Sequence, residues 1–151
     1  MLVKTIGKPT KRISIKEIKE ACKFYADYLM GTKLANKIYL TIEFEQYEKG
    51  SDEYASCDWT DTNHYPREFE INIACDLSKK DTMLVLAHEM THLAQYAKGD
   101  MKDMMRPARM IKWQNDLYDC EFDYWSAPWE REARGMEMEL YVKYLQCKKR
   151  K

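Results

Sequence analysis

The chain has 151 residues, with 25 Lys and Arg against 25 Asp and Glu, so its formal net charge is zero. That length predicts one domain over 1–151, large enough to bury a core without staples. The balanced charge gives no global pull toward nucleic acid or an anionic membrane, and neither is expected as a partner.

No apolar run approaches the ~18 residues that a membrane span needs. "MLVKTIGKPTKR" is basic but lacks an apolar h-region, so no secretory signal is expected. Cys22, Cys57, Cys75, Cys120 and Cys147 are odd in number and show no CxxC spacing, which predicts reduced thiols in a cytoplasmic protein.

Ser14 and Glu17 form an S-x-x-E capping box. Ile18, Ala21, Cys22, Tyr25, Tyr28 and Leu29 then recur at helical spacing, and Gly31 gives a stop, which predicts a helix over about 15–30. In "KIYLTIEFEQY", Ile38, Leu40, Ile42 and Phe44 alternate with more polar residues, the period of a half-buried strand. "KGSD" at 49–52 reads as a turn and "EYASCDW" as a weaker strand with Ala55, Cys57 and Trp59 on one face. "REFEINIACD" alternates again, with Phe69, Ile71, Ile73 and Cys75 inward. Three short antiparallel strands are the simplest pairing.

Ser78 and Asp81 cap a second helix that Gly99 ends, predicted over about 79–98. Met83, Leu86, Met90, Leu93 and Ala97 form its core face, and His88 and His92 share another. Residues 100–126 carry no clear pattern, and "WQNDLYD" at 113–119 reads as a packed loop. The methionines of "MKDMMRPARM" read as packing. A last helix starts near Pro128, with Trp129, Ala133, Met136 and Leu140 as its core stripe. Lys148, Lys149, Arg150 and Lys151 read as its solvated end.

The chemistry lies in "HEMTH" at 88–92. Histidines four apart on a helix stand one turn above each other, so both imidazoles can reach one ion. Zinc accepts such nitrogen ligands at ~2.0–2.1 Å. Glu89 follows the first histidine, so its carboxylate falls beside the metal, where it can take a proton from a Zn2+-bound water. A catalytic zinc also needs a third protein ligand. No histidine follows His92, which excludes the metzincin and SprT-type patterns. His64 lies upstream, before Pro66, and reads as an exposed loop residue. That leaves carboxylates: Asp100, Asp103, Asp116, Asp119, Glu121 and Asp123 in the irregular segment, or Glu130 and Glu132 on the last helix. A rigid helix presents a ligand better than a loop does.

With "HEMTH" at 88–92 and "EREA" at 130–133, the chain resembles the gluzincins, such as the thermolysin-like and CAAX-processing peptidases. In these, a glutamate on a later helix is followed three residues on by a small residue, here Ala133. "YWSAPWEREARGMEMELYV" is also similar to small HExxH proteins of tailed bacteriophages, which would act in the host cytoplasm. The resemblance covers the two helices, roughly a third of the chain. It implies an α+β, minimal zincin-like fold: an N-terminal helix, a small antiparallel three-stranded sheet, an HExxH helix and a C-terminal helix carrying the third ligand. It implies Glu130 as that ligand, with Glu132 as the alternative. Gluzincins often place Asp or Asn four residues after the ligand to orient a histidine, and here that position is Arg134.

The implied activity is a zinc-dependent metallopeptidase acting on a peptide or protein, with Glu89 activating water. An edge strand would pair with the substrate, and "REFEINIAC" is the candidate, with an ordinary interior strand as the equal alternative. Tyr118, Tyr124, Tyr141 and His64 are candidate donors to the developing oxyanion. Two alternatives remain. One is a zincin-fold binding or regulatory protein without turnover. The other is a deformylase-like amidase, whose third ligand is a cysteine, with Cys75 the nearest.

Overall fold

The computed structural model describes residues 1–10, 13–47, 54–104 and 109–150. The fold is α+β. Helix α1 (Ile15–Met30) starts at Ser14, whose side chain accepts the Glu17 N–H, and a short helix α2 (Thr32–Ala35) follows Gly31. Ile18, Ala21, Cys22 and Tyr25 are fully buried on the inner face of α1. Tyr28, expected in that stripe, is exposed, and its hydroxyl donates to Glu139 at 2.6 Å.

The main sheet has four strands: β1 (Leu2–Ile6), β2 (Tyr39–Glu45), β3 (Ala55–Trp59) and β4 (Glu68–Ala74), in the order β1-β2-β4-β3. Its pairing corrects the all-antiparallel expectation for these strands. β1 and β4 both run parallel to β2, and β3 alone is antiparallel, to β4. β1 was not anticipated. The predicted inward residues hold: Leu40, Ile42 and Phe44 of β2 and Phe69, Ile71 and Ile73 of β4 are buried. β4 is an interior strand, so the edge beside the next helix belongs to β3. The turn expected at 49–52 lies outside the described residues.

Helix α3 (Lys79–Lys98) begins at Ser78, whose hydroxyl accepts the Asp81 N–H. It ends at Gly99, which takes φ +81°, a left-handed conformation that glycine adopts without strain. α3 packs against β3, β4, α1 and helix α4 (Pro128–Lys149), so it is enclosed on most sides. Met83, Leu86, Met90, Leu93 and Ala97 are all buried, as the spacing predicts.

Residues 101–119 hold a second, three-stranded antiparallel sheet: β5 (Met101–Met104), β6 (Met110–Trp113) and β7 (Asp116–Asp119). "WQNDLYD" is therefore a hairpin, not a loop, and Gln114 takes the positive φ of its turn, +52°. Met101, Trp113, Ala127 and Trp129 form a small core between this sheet and the start of α4. Tyr96 of α3 packs against both this cluster and the main core. The five cysteines are free. No helix among the described residues is long and apolar enough to cross a membrane.

Candidate metal centre

α3 and α4 together build the site. His88 and His92 stand one turn apart on α3, and their Nε2 atoms approach to 3.1 Å. Pro128 opens α4, and Trp129 is wedged against Trp113 and Tyr118 at ring distances of 6.3 and 5.4 Å. That brace sets the next residue, Glu130, in the first turn of α4. There the helix dipole favours its negative charge. Glu130 Oε2 lies 3.3 Å from His88 Nε2, and Oε1 lies 3.3 Å from His92 Nε2. Tetrahedral ligands ~2.0–2.1 Å from a shared ion would stand about 3.3–3.4 Å apart. The three side chains therefore have the spacing of a metal ligand set, and among the described residues they are the one His, Cys, Asp or Glu group that does. Two imidazoles and a carboxylate suit several divalent first-row ions.

The far side of each imidazole is engaged. His88 Nδ1 donates to Glu137 Oε1 at 2.8 Å. His92 Nδ1 donates to Gln95 Oε1 at 2.8 Å. The Gln95 amide is oriented by its own nitrogen, which donates to the Trp129 carbonyl at 3.0 Å and to Glu132 Oε2 at 2.8 Å. With both Nδ1 atoms donating, both Nε2 atoms face inward, the orientation that metal ligation requires. Glu130 Oε2 is buried without a hydrogen bond. A buried carboxylate oxygen without a hydrogen bond, on a group whose two oxygens each face an imidazole Nε2, fits a cation.

The ionisation of the group follows. Burial works to raise the Glu130 pKa, but His88 and His92 outweigh it and hold it at about 2. Burial works to lower that of His88, but Glu130, Glu137 and the Glu89 charge outweigh it and push it up to about 9. Glu89 is buried beside the group. Burial raises its pKa first, His92 and His88 pull it down, and Glu130 and Asp58 push it up, for a net rise.

These side chains open on a cleft of about 930 Å³, within the usual range for ligand pockets. Tyr54, Ala55, Ser56 and Cys57, on and beside the β3 edge, form one wall, and Tyr124, Trp125 and Arg134 line the cleft as well. Of the expected site residues, His88, Glu89, His92 and Glu130 come together. Glu132 is exposed and touches the group only through Gln95. Tyr124 faces the cleft, where burial and the Glu130 charge push its hydroxyl up to about 12. Tyr118 packs instead on Phe122 and Trp129, and Tyr141 packs against the main core. His64 is exposed and accepts from Lys102 Nζ at 2.8 Å. Cys75 is buried just beyond β4 and is not a member of the group, which leaves the amidase reading without its ligand.

Gln95 and Glu137 were not foreseen. Gln95 could have been found, since it lies one turn beyond His92. Glu137 lies 49 residues from its histidine, and only its place two turns beyond Glu130, on the same side of α4, points to it. Arg134, at the position where an Asp or Asn was expected to orient a histidine, bonds the Trp125 carbonyl instead. No protein-family model, curated protein or solved structure matches this chain.

Proposed function

We propose that the protein is a zinc-dependent metallopeptidase of gluzincin type, with His88, His92 and Glu130 holding the ion and Glu89 as the base. The observation that carries this reading is the largely buried His88–His92–Glu130 group beside Glu89, lining an open cleft. Zinc held there would supply a Lewis acid that polarises a carbonyl and brings the pKa of water to ≈ 7.

The chain's own residues would do the rest. Glu89, with its raised pKa, takes a proton from the attacking water and returns it to the leaving amine. Tyr124 keeps its proton at neutral pH and donates to the oxygen that gains charge. The β3 edge facing the cleft offers N–H and C=O groups to an extended peptide. The expected compartment is the cytoplasm, with the host cytoplasm as the site of action if the phage resemblance holds.

Elemental analysis of the purified chain tests the reading, with Glu130→Ala, Glu132→Ala and Glu89→Gln alongside. About one zinc per chain is expected, lost in Glu130→Ala and kept in the other two, with peptide hydrolysis absent from Glu89→Gln. A wild-type chain that takes up no zinc, or hydrolysis that survives Glu89→Gln, overturns it.

A further inference from the structure

Arg134 stands four residues after Glu130 and three before Glu137, the helical spacings at which an arginine ordinarily meets an acid. Here both acids are turned toward histidines. Arg134 Nη2 donates instead to the Trp125 carbonyl at 2.7 Å, and the guanidinium lies 5.0 Å from the Trp125 ring centre and 5.6 Å from that of Tyr124. Nη1 is buried with no hydrogen-bond partner. A guanidinium carries five N–H donors in a fork that matches a carboxylate, and leaving one buried and unpaired is costly. The residues over it belong to an exposed segment: Tyr124 is 52% and Trp125 71% exposed. Among the described residues lining the cleft, Arg134 is the one Lys or Arg, and three of the others are acids, Glu89, Glu130 and Glu137.

We propose that Arg134 is the substrate-carboxylate receptor of this cleft, so that the preferred substrates present an anionic group within reach of the metal centre. The shared chemistry is a carboxylate, supplied by a peptide C-terminus or by an acidic side chain. The fork pairs with both carboxylate oxygens, and the exposed Trp125 ring moves aside to admit it while Tyr124 keeps its place in the cleft. This rests on the reading of the cleft as a peptide site. It does not require turnover, and Arg134 lies outside the metal group.

The test is calorimetric binding to the full-length Glu89→Gln chain, with and without zinc. One probe pair is N-acetyl-phenylalanyl-glycine and its C-terminal amide. The other is N-acetyl-phenylalanyl-aspartyl amide and its asparaginyl counterpart. In at least one pair the acid is expected to bind at least ~10-fold more tightly, the worth of a charge-assisted fork. The pair that shows it names the source. The preference should vanish when Arg134→Gln is added and shrink when Arg134→Lys is added. Zinc content, measured on the same samples, reports separately on the metal reading. Equal binding within both pairs overturns the proposal, as does an acid preference that survives Arg134→Gln, which would assign it to the metal. So does an equal loss for acid and neutral probes, which would make Arg134 only a brace for Trp125. Failure of either acid to bind up to ~10 mM, above the usual range of KM values, also overturns it.

Discussion

Glu137→Ala removes the carboxylate that holds His88 Nδ1 at 2.8 Å. A hydrogen bond to a charged group contributes ~1.5–3 kcal/mol. The Glu137 side chain is 32% exposed, so water screens it and the low end applies. About 1.5 kcal/mol is about a tenfold loss of zinc affinity, at the lower edge of what such orienting partners contribute. A second effect opposes it. Glu137 also helps to push the metal-free His88 up to about 9, so near neutral pH an incoming ion must expel a proton. Removing Glu137 eases that expulsion. The net loss should therefore be smallest near neutral pH and grow as the pH approaches 9, where the proton no longer competes. Competition against a chromophoric zinc chelator across that range reads both quantities. Unchanged affinity throughout, or a loss that shrinks as pH rises, refutes the assignment of Glu137 to His88.

Tyr124→Phe should lower kcat by ~10²-fold with KM and melting temperature little changed, since it removes one donor to the developing charge; a change in KM alone would place Tyr124 in binding instead. Glu17 ties α1 to Lys79 of α3 and Lys148 of α4 at 2.7 and 2.8 Å. Burial works to raise its pKa, but the bonds from Lys148 and Lys79 outweigh it and the net shift is downward from 4.5. Its contribution is thus complete above pH 4.5 and lost as pH falls through the lowered folded value. Glu17→Gln should cost about 1 kcal/mol in urea unfolding at neutral pH, because both lysines are half-exposed, and the gap from wild type should close in acid.

The three long helices were legible because each carries its own punctuation, whereas α2, four residues with no side-chain cap, was not. Ser14 with Glu17, Ser78 with Asp81, and Pro128 mark starts, while Gly31 and Gly99 mark ends. Burial was legible from alternation, as at Leu40, Ile42 and Phe44. Strand direction was not, because a period of two is the same for parallel and antiparallel partners. "LVKTI" at β1 is five residues with a lysine in the middle, too short for a pattern to stand out. The β6–β7 turn lacks the Asn-Gly or Asp-Gly pair that announces a tight hairpin, and Gln114 takes the positive φ instead. At the site, the pairing of His88 with His92 could be read from helical spacing, whereas Glu130 beside them was expected only from the gluzincin resemblance. The bond from Glu137 to His88 could not be read, because it depends on how α3 and α4 cross.

That crossing has a consequence for the metal-free chain. Both Nδ1 atoms are engaged, so two Nε2 lone pairs meet at 3.1 Å beside an ionised Glu130. Like lone pairs at that distance repel unless a positive charge lies among them. Without metal a proton can lie there instead: burial works against it, but Glu130, Glu137 and the Glu89 charge favour it and raise His88 from 6.5 to about 9, while against burial His88 and His92 lower Glu130 from 4.5 to about 2. A raised histidine contributes stability that is complete below its unfolded value of 6.5 and lost as pH rises through about 9. A depressed glutamate contributes stability that is complete above 4.5 and lost as pH falls through about 2. From this group, metal-free stability should therefore be greatest between pH 4.5 and 6.5 and decline toward pH 9. On the proposed reading zinc would supply the positive charge in place of the proton, so the loaded chain should keep its stability across the alkaline range and lose it in acid, where protons displace the ion. Denaturant unfolding of the two forms across pH distinguishes them. Parallel profiles would mean that the histidines and Glu130 are an ordinary buried ion pair that zinc does not enter.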